Sequence, residues 1–165
     1  MDASDPTPPP PPAGPAPEWF DRPAPATPDN PDGAPGLRFG CTMCGNCCTG
    51  PEGFVLVNTP EVDALAARLG LSREDFVARY TKLVPEGLSL RDVPTTHGFD
   101  CVFLDRTTVP GKAVCGVYED RPRQCRTWPF WTSVLRTEAH WRNTKRTCPG
   151  IDKGTFYPAE KIRIL

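Results

Sequence analysis

The chain has 165 residues, 22 of them proline and 8 cysteine, and a formal net charge of −1. The first 36 residues hold 13 of those prolines, which leaves 129 residues for one small core rather than two. The charge balance excludes an acidic disordered protein and a uniformly basic nucleic-acid coat, and no run approaches the roughly 20 apolar residues that span a bilayer. Met1 to Pro12 has neither a basic start nor an apolar stretch of signal-peptide length, so a soluble, cytoplasmic chain is expected. Thiols in a reducing compartment stay reduced, so an even cysteine count points first to metal or redox chemistry rather than to a disulfide framework.

Charge divides along the chain. Residues 1–36 carry six acids against Arg22 alone, whereas residues 37–165 carry 18 Lys and Arg against 14 Asp and Glu, a net of +4 with neutral thiols. Eight thiolates around two divalent ions would roughly cancel that excess. Basic residues concentrate between Arg121 and Leu165, where they can neutralise thiolates or meet an anionic partner.

Met1 to Gly36 reads as an extended acidic tail, with Pro8 to Pro12 favouring polyproline II and Trp19 and Phe20 as its only sticky point. The domain is expected over residues 37–165. Its first elements are a short buried strand at Gly53 to Val57 and a helix capped by Thr59, with Pro60 in its first position. That helix aligns Val62, Leu65, Ala66 and Leu69 on one face and ends at Gly70. Ser72 with Asp75 starts a second, shorter helix. From Leu88 the pattern turns β-like: a weak strand to Val93, a stronger one at Cys101 to Leu104 and a third at Ala113 to Tyr118. Pro110-Gly111 turns the last two into a hairpin. Residues 119–122 break the strand and lead into a helical turn carrying Cys125. Residues 128–165 alternate aromatic and basic side chains without a clear period. The expected class is α+β, with short helices and an antiparallel hairpin.

The central signal is Cys41-Thr42-Met43-Cys44-Gly45-Asn46-Cys47-Cys48, four thiols within eight residues. Two-residue spacers let a tight loop turn flanking sulfurs inward on one ion, since zinc holds sulfur at about 2.3 Å. Gly45 and Gly50 supply unusual backbone angles for such a loop. In extended backbone, neighbouring side chains point to opposite sides, so Cys47 and Cys48 are expected to serve two centres or two edges of one cluster. The remaining donors are Cys101, Cys115, Cys125 and Cys148; four plus four makes two complete tetrathiolate sites. His97 is expected as a solvated loop residue, and His140 is expected outside the ligand set. Three blander readings compete: buried core cysteine, disulfides, and a thiol redox pair using one CxxC. The last leaves six cysteines unexplained. A bacterial ferredoxin run fails because Thr49, Gly50 and Pro51 follow Cys48, and a radical-SAM loop fails because only two residues separate Cys41 from Cys44.

With Cys101-Val102-Phe103-Leu104, Cys115 to Pro122, Cys125-Arg126-Thr127-Trp128-Pro129-Phe130 and Cys148-Pro149-Gly150 following in order, the chain resembles the CxxCxxCC cysteine-cluster family of zinc- or iron-chelating domains over about residues 38–150. The resemblance implies a small metal-chelating domain binding zinc or iron, with an iron-sulfur cluster also open. Flagellin lysine N-methylases contain a related domain, so a methylase-like role enters by analogy. No Gly-rich loop after a strong strand marks a place for S-adenosylmethionine. Metal binding without catalysis in this chain is the leading expectation. Electron transfer or protein modification, and a metal-supported nucleic-acid module using Trp128, Arg136, Trp141, Arg142, Lys145 and Arg146, are the alternatives. Arg121 and Arg126 are expected to damp the site's negative charge, and Trp128, Phe130 and Trp131 to cover it.

Overall fold

The computed structural model describes residues 17–96 and 98–165. The expectations for the polyproline run within residues 1–16 and for His97 lie outside the described residues. Strand β1 (Gly36–Phe39) leads into the cysteine run, which ends in a 3₁₀ turn at Asn46–Cys48 and the two-residue strand β2 (Thr49–Gly50). Helices α1 (Thr59–Arg68) and α2 (Arg73–Tyr80) follow, then strands β3 (Thr81–Val84), β4 (Gly87–Leu90), β5 (Asp92–Thr95), β6 (Gly98–Cys101), β7 (Leu104–Asp105) and β8 (Val114–Cys115). The chain closes with helices α3 (Arg123–Arg126), α4 (Thr132–Leu135) and α5 (Glu138–Lys145), strand β9 (Thr155–Pro158) and helix α6 (Ala159–Arg163). Four small antiparallel sheets, β1-β9, β2-β6-β5, β3-β4 and β7-β8, make this the expected α+β architecture.

Helix α1 starts one residue earlier than its proline suggests. Asn58 accepts the Glu61 N–H at 2.9 Å while the Glu61 carboxylate accepts the Asn58 N–H at 3.0 Å. This reciprocal pair needs Glu three residues after the cap, which Asn58 has and Thr59 lacks. The helix buries Val62, Leu65 and Ala66. Ser72 caps α2 as expected, accepting the Asp75 N–H at 3.0 Å, and Phe76 is fully buried.

The β pattern is more broken than the sequence suggests. Residues 53–57 are extended but contribute only an isolated bridge, Leu56 to Ser89. Two backbone bonds, Val57 N–H to the Leu88 carbonyl and Leu90 N–H to the Val55 carbonyl, form that bridge, and side chains take further groups: Ser89 Oγ accepts the Val55 N–H, and the Gln124 amide takes the Leu56 N–H and donates to the Phe54 carbonyl. The expected strand from Leu88 to Val93 divides at Arg91, where the partner changes: its N–H donates to the Tyr80 carbonyl in line with β3–β4, and its carbonyl accepts the Val102 N–H in line with β5–β6. The expected hairpin from Cys101 to Tyr118 shortens to Leu104-Asp105 paired with Val114-Cys115. Cys101 instead closes β6 opposite Asp92. The strand stops at Asp105 because its carboxylate accepts the N–H groups of Thr107 and Thr108, turning the chain locally.

Two hydrophobic cores result. One joins the two ends of the described chain, with Phe20, Leu37, Phe130, Trp141, Ile151 and Ile162 packed together. The other lies under α1 and α2, with Val57, Leu65, Phe76, Leu90 and Val117. Phe20 is 3% exposed, the Trp19 indole donates to the Leu135 carbonyl at 2.7 Å, and Arg163 pairs with Glu18 and Asp21. Glu18, Trp19, Phe20 and Asp21 thus pack against the C-terminal segment.

Candidate metal centre

The cysteine run hangs between β1 and β2 and is clamped from both sides. On one side, the Gly40 N–H donates to the Gly150 carbonyl at 3.1 Å and the Asn46 side chain to the Thr147 carbonyl at 2.5 Å. The chains approach so closely that a Cβ on Gly150 would fall 2.0 Å from the Gly40 oxygen, so only glycine fits after Cys148-Pro149. On the other side, the Ala113 N–H donates to the Met43 carbonyl at 2.8 Å and Lys112 to the Thr42 carbonyl. Gly45, at φ 77°, turns the run back, and a side chain there would meet Ala113. These clamps bring Cys148 and Cys115 to opposite flanks of the loop.

A third tie fixes the end of the run. Thr49 pairs with Asp100 between β2 and β6, its hydroxyl donating to the Asp100 carboxylate at 2.7 Å. Asp100 is buried and accepts from the Arg106 guanidinium at 2.8 Å. This pairing places Cys48 near Cys101. Sequence reasoning passed over Asp100, Arg106, Asn46 and Thr49, none of which is a metal donor in the pattern; Gly150 beside Cys148 was the one local signal for a close approach.

All eight cysteines, Cys41, Cys44, Cys47, Cys48, Cys101, Cys115, Cys125 and Cys148, are free thiols and line one cavity of about 530 Å³. Its walls come from both cores, with Phe39, Trp128, Trp131 and Tyr157 on one side and Val55, Leu90, Phe103 and Val117 on the other. Cys41 and Cys47 are exposed, which leaves a path from solvent to the sulfurs. Among the described residues, no three His, Cys, Asp or Glu side chains already converge tightly enough to hold an ion. Residues 40–149 match the family model CxxCxxCC, described as "Putative zinc- or iron-chelating domain". The chain belongs to the CxxCxxCC family. No solved structure matches it.

In this CxxCxxCC domain, Cys47 and Cys48 do not point to opposite sides. The backbone at Asn46–Cys48 is a 3₁₀ turn rather than extended, and the two sulfurs lie 3.6 Å apart. Tetrahedral zinc at about 2.3 Å from its sulfurs would hold them about 3.8 Å from one another, so this pair fits a single ion. The premise behind expecting two centres or two edges of one cluster, an extended backbone that sends neighbouring side chains apart, is corrected by the local helical geometry.

The thiols shift one another strongly. The Cys48 thiol donates to Cys47, lowering Cys47 to about 7, and Cys48 is raised because it keeps that proton while buried among sulfurs. Burial raises Cys101 to about 11 and Cys125 to about 12, and it also raises Cys115 and Cys148. Arg121 counters part of this: its Nε donates to the Tyr118 carbonyl at 2.8 Å, its guanidinium stacks 3.5 Å over the Tyr118 ring, and its charge favours anionic Cys47, Cys115 and Cys125. Arg126 also lines the cavity.

The surroundings fit a soft cation. Eight sulfur donors facing one space select zinc or iron over magnesium or calcium. The Trp128 indole N–H is buried without a partner at ordinary hydrogen-bond distance and lies beside Cys148, whose anionic form it favours. Trp131 packs edge-on against Trp128 at 4.8 Å, so these two tryptophans cover the cavity. Phe130 points elsewhere, into the aromatic core between Trp141 and Tyr157. His140 lies outside the cavity, its Nδ1 paired with Thr137 Oγ1 at 2.8 Å. The interleaved aromatic and basic residues present no stacking face at Trp141, which is 3% exposed and donates to Asp152; Arg142 pairs with Glu138 and Lys145 with Asp152. No helix among the described residues is long and apolar enough to cross a membrane.

Proposed function

We propose that this chain chelates zinc or iron through Cys41, Cys44, Cys47, Cys48, Cys101, Cys115, Cys125 and Cys148, and that its own chemistry ends at chelation. The observation that carries this reading is the convergence of all eight thiols, drawn from one loop and four later segments, on a single cavity. A bound ion would neutralise neighbouring thiolates and cross-link the two hydrophobic cores that meet there. The residues supply the rest. Cys47 and Cys48 offer a preformed pair, Arg121 and the Trp128 N–H favour sulfur anions, and the two clamps on the loop hold its donors against Cys115 and Cys148.

The test is metal analysis of the full chain purified without oxygen, with its visible spectrum. Stoichiometric zinc in colourless protein, or iron with thiolate charge-transfer bands, is expected, and replacing Cys47 and Cys48 together by alanine should remove metal. Fully folded, reduced protein that holds no transition metal and takes none up would overturn the reading. Brown protein containing acid-labile sulfide would favour the iron-sulfur alternative and its electron-transfer or methylase-like roles.

A further inference from the structure

The Cys47 and Cys48 sulfurs lie 3.6 Å apart, and Cys47 is exposed. A disulfide holds its sulfurs at about 2.05 Å, so this spacing is too long for a direct S–S bond. It suits a bridge of one soft atom between them. Among the described residues, no three His, Cys, Asp or Glu side chains converge closely enough to hold an ion, so two sulfurs are what the fold presents ready-made. Zinc takes four donors and must draw two more inward. An atom that needs only two sulfurs finds its site already built.

The pair is held in place by backbone and by neighbours. Gly45, at φ 77°, turns the chain, and the Cys48 N–H donates to the Gly45 carbonyl at 2.9 Å to close the 3₁₀ turn at Asn46–Cys48. On one side the Asn46 side chain donates to the Thr147 carbonyl; on the other the Thr49 hydroxyl donates to Asp100. Both anchors lie next to the two cysteines in sequence, so the sulfurs are positioned before any ligand arrives and little ordering cost remains.

We propose that Cys47 and Cys48 form a binding site for monosubstituted trivalent arsenicals, compounds whose arsenic carries one carbon group and has two bonds free for thiolates. Arsenic(III) is soft and matches sulfur donors. In the reaction with an arsenoxide, two As–S bonds form while two S–H bonds and the arsenic–oxygen bond break. Both protons leave with the oxygen as water, and no electrons are transferred. The bridged ring is one atom longer than the ring a disulfide between adjacent cysteines would close, which relieves the strain of that disulfide. Exposed Cys47 gives the arsenical its entry, and the cavity of about 530 Å³ leaves room for the carbon group. The site stands on the spacing of this pair and does not require that the chain chelate zinc or iron.

The test titrates the full chain as isolated, reduced with a phosphine, with phenylarsine oxide. Trypsin then releases Phe39–Arg68, which carries Cys41, Cys44, Cys47 and Cys48 together, and fragmentation in the mass spectrometer locates the arsenic bridge. The first equivalent should join Cys47 to Cys48, resist an excess of a monothiol and come off with a dithiol. The same titration in urea should spread the bridge over all four loop thiols, because the preference comes from the fold. Cys47→Ser should remove the native preference; the wild-type map decides the matter if that variant does not fold. A native first equivalent on Cys41 and Cys44, a native distribution equal to that in urea, ready removal by monothiol, or no uptake would each overturn the proposal. Metal-loaded protein that takes up no arsenical would leave chelation standing, whereas a chain that holds no zinc or iron but bridges Cys47 and Cys48 would remove chelation and leave this site.

Discussion

Trp128 and Phe130 lie two residues apart and enter different worlds. Phe130 stacks on Trp141 at 6.0 Å in a closed aromatic core, where the Trp141 indole N–H ends on Asp152 at 2.8 Å. Trp128 faces the thiol cavity with its indole N–H unpartnered. In the first region Phe130 and Trp141 are buried and the indole N–H groups of Trp141 and Trp19 both meet acceptors. In the second, buried sulfurs raise one another's proton affinity and a soft cation is the natural complement. The fold thus combines two conventionally packed cores with a junction lined by eight thiols.

The contrast breaks most visibly on metal removal. A strong chelator applied to reduced protein should lower the thermal midpoint by well over about 10 °C, because binding and folding free energies are shared at such a site; an unchanged midpoint in differential scanning calorimetry would show the junction holding unaided. Within the second core, Phe76→Ala should cost about 3–5 kcal/mol in urea unfolding, since the ring is fully buried against Tyr80 and Phe103. Metal stoichiometry should survive that change, which separates packing from chelation. Arg121→Gln should weaken metal affinity about 10- to 100-fold in a competition titration, with little change in fold by circular dichroism, because it removes a cation that favours the thiolates. The smallest effect is expected at Asn58→Ala, about 1 kcal/mol from a lost helix cap at the edge of the second core, outside the lining of the thiol cavity.

Local signals survived into the structure where the physics was local. The Ser72 cap, the buried face of α1 at Val62, Leu65 and Ala66, and the turn at Gly45 depend on residues within a few positions of one another. The strand at residues 53–57 shrank to one bridge at Leu56, and Ser89 and Gln124, from distant segments, meet the Val55 and Leu56 N–H groups and the Phe54 carbonyl. Likewise, nothing near Phe20 reveals that most of its partners come from the far end of the chain.

Spacing and residue type by themselves determined the donor chemistry, the family and the α+β class, because sulfur softness, loop length and helix capping are properties of short segments. Tertiary structure decided that the eight thiols share one cavity, that Cys47 and Cys48 lie side by side, and that Asp100, Arg106 and Asn46 hold them there. Those outcomes depend on contacts between segments about 50 to 100 residues apart, such as Thr49 with Asp100 and Asn46 with Thr147, whose closure is set by packing rather than by any local preference.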